Sequence, residues 1–269
     1  RQKKYKMDVD FKNKGTVEVI VEAGVSSIEF SHPQSNSLPS ALLKKLTQAI
    51  EQESSNPESQ IILLGSSGDR VFCGGASFDE LASISNEKEG LSFFSGFANV
   101  INAMRKSPKI IVGRIQGKAV GGGVGLASAV DYCFATDYAG VKLSELAVGI
   151  GPFVVGPAVE RKIGKSAMSQ LAIDATQFRT AEWAFNKGLY SQVYPTIESM
   201  DQGISELLKS LTYQSASAQT ALKKILWEDF DHWDELLESR ALISGKLVLT
   251  EESKASIQLI LEKKNQIDK

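Results

Sequence analysis

The chain has 269 residues, 42% of them hydrophobic, which is enough for a large buried core. Its 30 basic and 32 acidic residues are well mixed and leave a formal net charge of -2, so there is no basic footprint for nucleic acid and none is expected as a partner. Two cysteines, Cys73 and Cys133, lack metal-type spacing and read as buried thiols, not as a disulfide framework or metal site, and no window reaches the roughly 18 to 20 apolar residues of a membrane span.

The opening "RQKKYKMDVDFKNKG" is basic, then turns acidic at Asp8 and Asp10 with no apolar stretch behind it, so it does not read as a secretory signal. Residues 1–6 are expected to precede a native Met7, and the default compartment is the cytoplasm. "TVEVIVE" from Thr16 alternates as a strand does, with "SSIEFSH" as its hairpin partner. A helix over "LPSALLKKLTQAIEQES" and a buried strand over "QIILLGS" follow. Helix "GLSFFSGFANVINAMRKS", strand "KIIVGRIQG", a helix opening at "VGGGVGLASAV", and strands at "DYCFATD" and "VKLSE" continue the alternation, which predicts an α/β architecture. Past about residue 152 the strand signal fades. "PFVVGPAVERKIG", "KSAMSQLAIDA", "TAEWAFNKG", "ESMDQGISELLKSL", "SAQTALKKILWEDF" and "EESKASIQLILEKKNQ" all predict helix.

Several motifs fail on inspection. A dinucleotide fingerprint begun at Gly121 would need its third glycine where Leu126 stands, and a P-loop ending in "IGKS" would need one where Val159 stands. There is no Gly-x-Ser-x-Gly elbow. The two histidines, His32 before a proline and His232 in "DFDHWDELLESR", read as surface or capping residues, and the charge runs "EWAFNKG" and "LEKKNQIDK" as solvated helix faces.

Gly121 to Gly123 close a strand and open a helix, where backbone N–H groups are unpaired and attract negative charge. That charge can be a phosphate or a carbonyl oxygen that becomes negative during reaction, and a tight packed turn would use the same glycines. A second glycine-rich turn, "DRVFCGGASFDEL", also follows a strand and precedes a helical turn. With it, "RVFCGGASFDEL", "KSPKIIVGRIQGKAVGGGVGLASAVDYCFATDYAGVKLSELAVGIGP" and "EESKASIQLILEKK" together resemble the crotonase superfamily of enoyl-CoA hydratases and isomerases, over about Thr16 to Lys264.

The resemblance implies a crotonase-like ββα superhelix over 7–205 and a C-terminal α-helical trimerisation region over 206–269, giving a homotrimer or a dimer of trimers. It implies an acyl-CoA thioester as substrate, with CoA part of that substrate and no separate cofactor or metal. The N–H groups of Ala76 and Gly122 would hold the thioester oxygen as an enolate forms. Hydratases of the family have one glutamate three positions after the middle glycine and a second heading an "E-x-x-x-G" stretch. Here the first position is Gly125, and only Glu145 is retained. A single carboxylate suits a 1,3-proton shift, so the expectation is an isomerase converting 3-enoyl-CoA to trans-2-enoyl-CoA, closest in pattern to Δ3,Δ2-enoyl-CoA isomerases. The alternatives are a hydratase in which Asp79 or Glu80 replaces the missing acid, and a non-catalytic acyl-CoA-binding subunit. Pro152 and Phe153 stand where a dehalogenase-type aspartate would be. Phe78 and Phe153, beside Gly75 and Gly121, are the expected substrate-binding residues, with Leu81, Phe93, Phe94 and Phe97 as further candidates for the acyl pocket. Lys118, Lys263 and Lys264 are candidates for the CoA phosphates. Ser77 stands where the family often has aspartate.

Overall fold

Strand alternation is strongest at the start of the chain, and the computed structural model, which describes residues 2–8 and 15–267, builds its main sheet outward from there. β2 (Thr16–Glu22) buries Val17, Val19 and Val21 and pairs antiparallel with β3 (Val25–Ser31) through a two-residue turn. Ala23 and Gly24 in that turn both take positive φ, as the tight hairpin requires. The basic N-terminal segment is itself structured: β1 (Lys3–Asp8) adds antiparallel to β2, so the expected start at Met7 cuts through a strand. Asp10, within 9–14, and the last two residues of the closing charge run lie outside the described residues.

Three strand–strand–helix repeats then follow. β4 (Ile61–Ser66) and β5 (Val71–Cys73) lead to α2 (Phe78–Ser83) and α3 (Glu87–Lys106). β6 (Ile110–Ile115) and β7 (Lys118–Val120) lead to α4 (Gly122–Ala129). β8 (Tyr132–Thr136) and β9 (Val141–Lys142) lead, through a 3₁₀ turn at Glu145–Val148, to α5 (Gly156–Ile173). The first strand of each repeat joins the seven-stranded sheet, β1-β2-β3-β4-β6-β8-β10, which ends in β10 (Gln192–Tyr194), and the second joins a parallel sheet, β5-β7-β9. One strand per repeat in each sheet, in the same order, is a coil of ββα units, the α/β arrangement that the sequence resemblance implies.

The sequence reading is corrected in four places. The strand expected over "VKLSE" is only Val141–Lys142, because Ser144 onward turns into the 3₁₀ segment. The helix expected at "PFVVG" starts at Gly156 and runs on through "KSAMSQLAI", with a kink at Gly164, whose φ of 74° is not helical. The strand signal does not end at 152: β10 (Gln192–Tyr194) pairs parallel with β8 as the sheet's last strand. Between these elements lies α6 (Ala181–Asn186), and α7 (Ile197–Thr212), α8 (Ala216–Leu226), α9 (Trp233–Leu247) and α10 (Glu251–Ile267) complete the helical C-terminal part. α9 is the helix that the stretch around His232 announced only as an amphipathic pattern.

α1 (Ser40–Ser54) and α3 fill the core against the main sheet. α3 has Asn86 accepting from the Glu89 N–H at its start, acids in its first turn and Arg105 and Lys106 in its last, an order that complements the helix dipole. α9 crosses α3 so closely that a Cβ at Gly90 would stand 2.5 Å from the Gly245 carbonyl oxygen. No helix among the described residues is long and apolar enough to cross a membrane.

Candidate active site

Both glycine-rich turns arrive at one place. Strands β5 and β7 are neighbours in the small sheet, so the turns that leave them, Gly74–Ser77 and Gly121–Gly123, lie side by side. Gly75 makes this approach possible. Its φ is +89°, and a Cβ there would be 2.8 Å from the Val120 carbonyl oxygen and 3.6 Å from the Gly122 nitrogen. Any side chain would both strain the backbone and wedge the turns apart. The first turn is fixed from outside, with the Gly74 N–H bonded to the Ser35 carbonyl at 2.9 Å and the Leu38 N–H to the Gly75 carbonyl at 2.8 Å. Among the described residues, neither Ala76 nor Gly122 donates its N–H to a backbone carbonyl, whereas Gly121, next to Gly122 in the chain, donates to Lys142 at 2.8 Å. α4 begins at Gly122 with no side-chain cap, so its first amide stays open.

Glu145 heads the 3₁₀ turn directly after β9, the strand beside β7, and its carboxylate lies over Gly121. A Cβ at Gly121 would be 3.1 Å from Glu145 Oε1. The far end of that turn is held by α10, where Ser253 Oγ donates to the Val148 carbonyl at 2.8 Å. The residue as a whole is partly exposed, yet Oε2 is sealed from solvent and has no hydrogen-bond partner. Burial pushes the carboxyl up to about 7, against which its own backbone N–H is the opposing influence. A carboxyl poised near neutrality, with one oxygen unpartnered, is suited to exchange protons.

These groups line one pocket of about 540 Å³, mouth included, with Ala76, Gly122 and Glu145 at its polar end. Gly75, Gly121, Phe78 and Phe153 line it too, as do Leu81, Phe94 and Phe97. Phe93 does not: it is buried behind the pocket, edge-on to Phe94 and Phe97 with ring centres at 5.2 and 5.9 Å. Asp79 and Glu80 are also absent from the lining. Asp79 accepts from Gln34 Nε2 at 3.1 Å, and Glu80 accepts the Ser40 N–H at 2.7 Å, capping α1, so both carboxylates are engaged away from the pocket. Ser77 caps α2, accepting from the Glu80 N–H. His32 Nδ1 accepts from the Gln34 N–H at 3.1 Å within its turn, and His232 is exposed at the start of α9. Lys118 lies with its Nζ 5.0 Å above the Phe178 ring, Lys263 is exposed and Lys264 half-buried, and none of the three lines the pocket.

Residues 21–267 match the family model described as enoyl-CoA hydratase/isomerase. The chain belongs to that family. Among its relatives, a trans-2-decenoyl-[acyl-carrier-protein] isomerase of Streptococcus mutans is 24% identical over 250 residues, covering 91% of this chain and 94% of the relative. A probable enoyl-CoA hydratase of Bacillus subtilis is also 24% identical over 250 residues, with 92% and 96% covered. The crystal structure of an enoyl-CoA hydratase from Bacillus halodurans superposes with a TM-score of 0.84 at 22% identity, covering 90% of this chain and 99% of that one. The family membership makes the chain an acyl-CoA enzyme.

Two contributors to the site were not legible in the sequence. A Cβ at Gly125 would be 2.6 Å from Val155 Cγ1 and 2.8 Å from its Cβ, so Val155, also in the lining, fills the space a side chain at 125 would take. Ser244 reaches the lining from α9, more than a hundred residues after the glycine turns.

Proposed function

We propose that this enzyme is an enoyl-thioester isomerase that moves a 3-enoyl double bond to the trans-2 position, with Glu145 as its single acid–base group. The thioester oxygen sits between the N–H groups of Ala76 and Gly122. Glu145 removes a proton from C2, and charge spreads from C2 to C4 and onto the oxygen as a dienolate. The same carboxyl then returns the proton at C4. Amides already aimed at the developing oxyanion lower the barrier by about 2.7 to 4 kcal/mol per donor in comparable sites. Phe78 and Phe153 flank the acyl chain and exclude water.

The observation that carries this reading is the inventory of the pocket: Glu145 is the sole carboxylate among its lining residues, and Val155 occupies the room beside Gly125. Addition of water needs a second group to hold and activate that water. The names of the relatives divide between isomerase and hydratase. The test is to supply 3-hexenoyl-CoA and, separately, trans-2-hexenoyl-CoA, following conjugation and hydration, with Glu145→Gln as control. Conjugation abolished in the variant supports the isomerase; hydration at an equal or higher rate assigns a hydratase; neither activity, with thioester still bound, assigns a binding subunit.

We infer in addition that residues 206–269 form the subunit contacts of a homotrimer or a dimer of trimers. Leu222, Ile225 and Leu226 on α8, Ile243 on α9 and Leu259 on α10 are all exposed, a run of apolar side chains that association would cover. Native mass spectrometry showing three or six copies supports this, and a monomer at micromolar concentration refutes it.

A further inference from the structure

Buried serines in this protein are bonded. Ser128 donates to the Val124 carbonyl at 2.7 Å, Ser253 to Val148 at 2.8 Å, Ser107 accepts from Ser54 at 2.8 Å, and Ser66 accepts from Gln116 at 2.9 Å. Ser26, Ser37, Ser59 and Ser77 are likewise partnered. Ser244 is the exception among the described residues: it is 1% exposed, and its Oγ meets no partner, not even the Arg240 carbonyl one turn back on α9. Leaving a buried hydroxyl unpaired costs free energy, so such a group marks a place where something else completes the bond.

The place is the active-site pocket, which Ser244 lines together with Phe94, Phe97 and Val155. Its neighbour Gly245 explains how it comes to be there. A Cβ at Gly245 would be 2.7 Å from the Leu91 nitrogen, so only glycine lets α9 press onto α3 just where α3 sends its phenylalanines toward the pocket. The chemistry of the missing partner follows from the other lining residues. None is Lys, Arg or His, so a carboxylate or phosphate on the acyl chain would be buried without a counter-charge. A neutral oxygen fits.

From this we infer that the preferred substrate carries a neutral oxygen function, a hydroxyl or a carbonyl, on its acyl chain, and that Ser244 is the specificity-determining residue that hydrogen-bonds it. The inference rests on the acyl-thioester reading of the pocket but not on which reaction the enzyme performs.

Binding is therefore measured first. Hexanoyl-CoA and its 5-hydroxy and 6-hydroxy derivatives are titrated into wild type and Ser244→Ala by calorimetry, and melting temperatures are recorded for both proteins. The expected result is that wild type binds at least one hydroxylated thioester no more weakly than hexanoyl-CoA. Ser244→Ala should then weaken that thioester about tenfold or more while leaving hexanoyl-CoA within about twofold, because the ligand's hydroxyl is left unpaired. The melting temperature should not fall, since the folded protein loses no hydrogen bond. Both hydroxylated thioesters binding about tenfold weaker than hexanoyl-CoA to wild type would overturn the inference, as would equal losses for all three in the variant, the pattern of a serine that only holds a water. Failure of wild type to conjugate 3-hexenoyl-CoA would sink the isomerase reading while leaving the binding ratios to decide the role of Ser244.

Discussion

Glu53 and Glu145 each hold carboxylate oxygen away from solvent, and their surroundings treat them in opposite ways. Glu53, 1% exposed near the end of α1, accepts from Tyr5 of β1 at 2.6 Å, from Ser26 of β3 at 2.5 Å and from Asn56 at 2.8 Å, while Lys109 bonds its backbone carbonyl. Burial would push its carboxyl up, but the bonds from Ser26, Tyr5 and Asn56 and the Lys109 charge overcome that and hold it below the ordinary value. Glu145 has the burial with only its own backbone N–H to oppose it, and its carboxyl rises to about 7. The same side chain is a rivet in one place and, in the function proposed, a proton carrier in the other. What separates them is whether the fold supplies donors to the charged form or leaves that to the substrate.

The largest expected break in this comparison is in turnover. Glu145→Gln should lower kcat/KM for 3-hexenoyl-CoA conjugation about 10³-fold, whereas Glu53→Gln should leave kcat per folded molecule unchanged. In wild type, kcat/KM should rise with pH through about 7, because the base must be ionised to accept the C2 proton. A pH profile flat from 5 to 8, or a Glu145→Gln enzyme of undiminished rate, would mean that another group does the work.

Stability should move the other way. A carboxyl whose pKa is raised from 4.5 to about 7 on folding favours the folded state fully below the unfolded value, and that contribution is lost as pH rises through about 7. Glu145→Gln removes the cost of the buried charge. It should match wild type in urea below about pH 4.5 and exceed it by roughly 3 kcal/mol above pH 7. Glu53 has the opposite sign: its folded value is depressed, so its contribution exists above the unfolded value and disappears as pH falls through the folded one. Glu53→Gln should cost about 2 kcal/mol at neutral pH, where Ser26 and Tyr5 lose a charged acceptor, and much less in acid. Parallel profiles for the two variants would dissolve the distinction.

How much of this was legible beforehand follows from what each signal depends on. Long alternating or helical runs are local patterns: Thr16–Glu22 is the strand its alternation predicts, and the helix predicted from Gly90 to Ser107 is present but begins a turn earlier, at Glu87, and ends at Lys106. The short strands were harder: β9 has two residues and β10 three, too few for periodicity, and each exists because a neighbour offers a free edge. The glycine turns and Glu145 carried sequence signals because their chemistry constrains residue type. Phe93 and Phe94 are adjacent and equally apolar, and only the packed helix decides that one faces the pocket and the other the core. Ser244 gave no signal at all, since a serine in an amphipathic helix is ordinary until α9 is placed against α3.

The smallest effect tests the proposal that Glu145 works alone. In the interior of α4 alanine is favoured over glycine by about 1 kcal/mol on propensity, yet a methyl group at position 125 would press into Val155 at 2.6 Å, and overpacking of that kind costs about 1 to 3 kcal/mol. Gly125→Ala in wild type should therefore lower stability by about 1 kcal/mol. In a Val155→Gly background the nearest atom left is the Cα of residue 155, an ordinary contact at 3.6 Å, so only the propensity gain remains and the same substitution should become neutral or stabilising. The change of sign, read from denaturant midpoints of the four proteins, is the signature of a valine that closes the second acid's place. If Gly125→Ala has one sign in both backgrounds, the room beside α4 is open, and the absence of a second carboxylate there is a matter of residue type alone, with no steric barrier behind it.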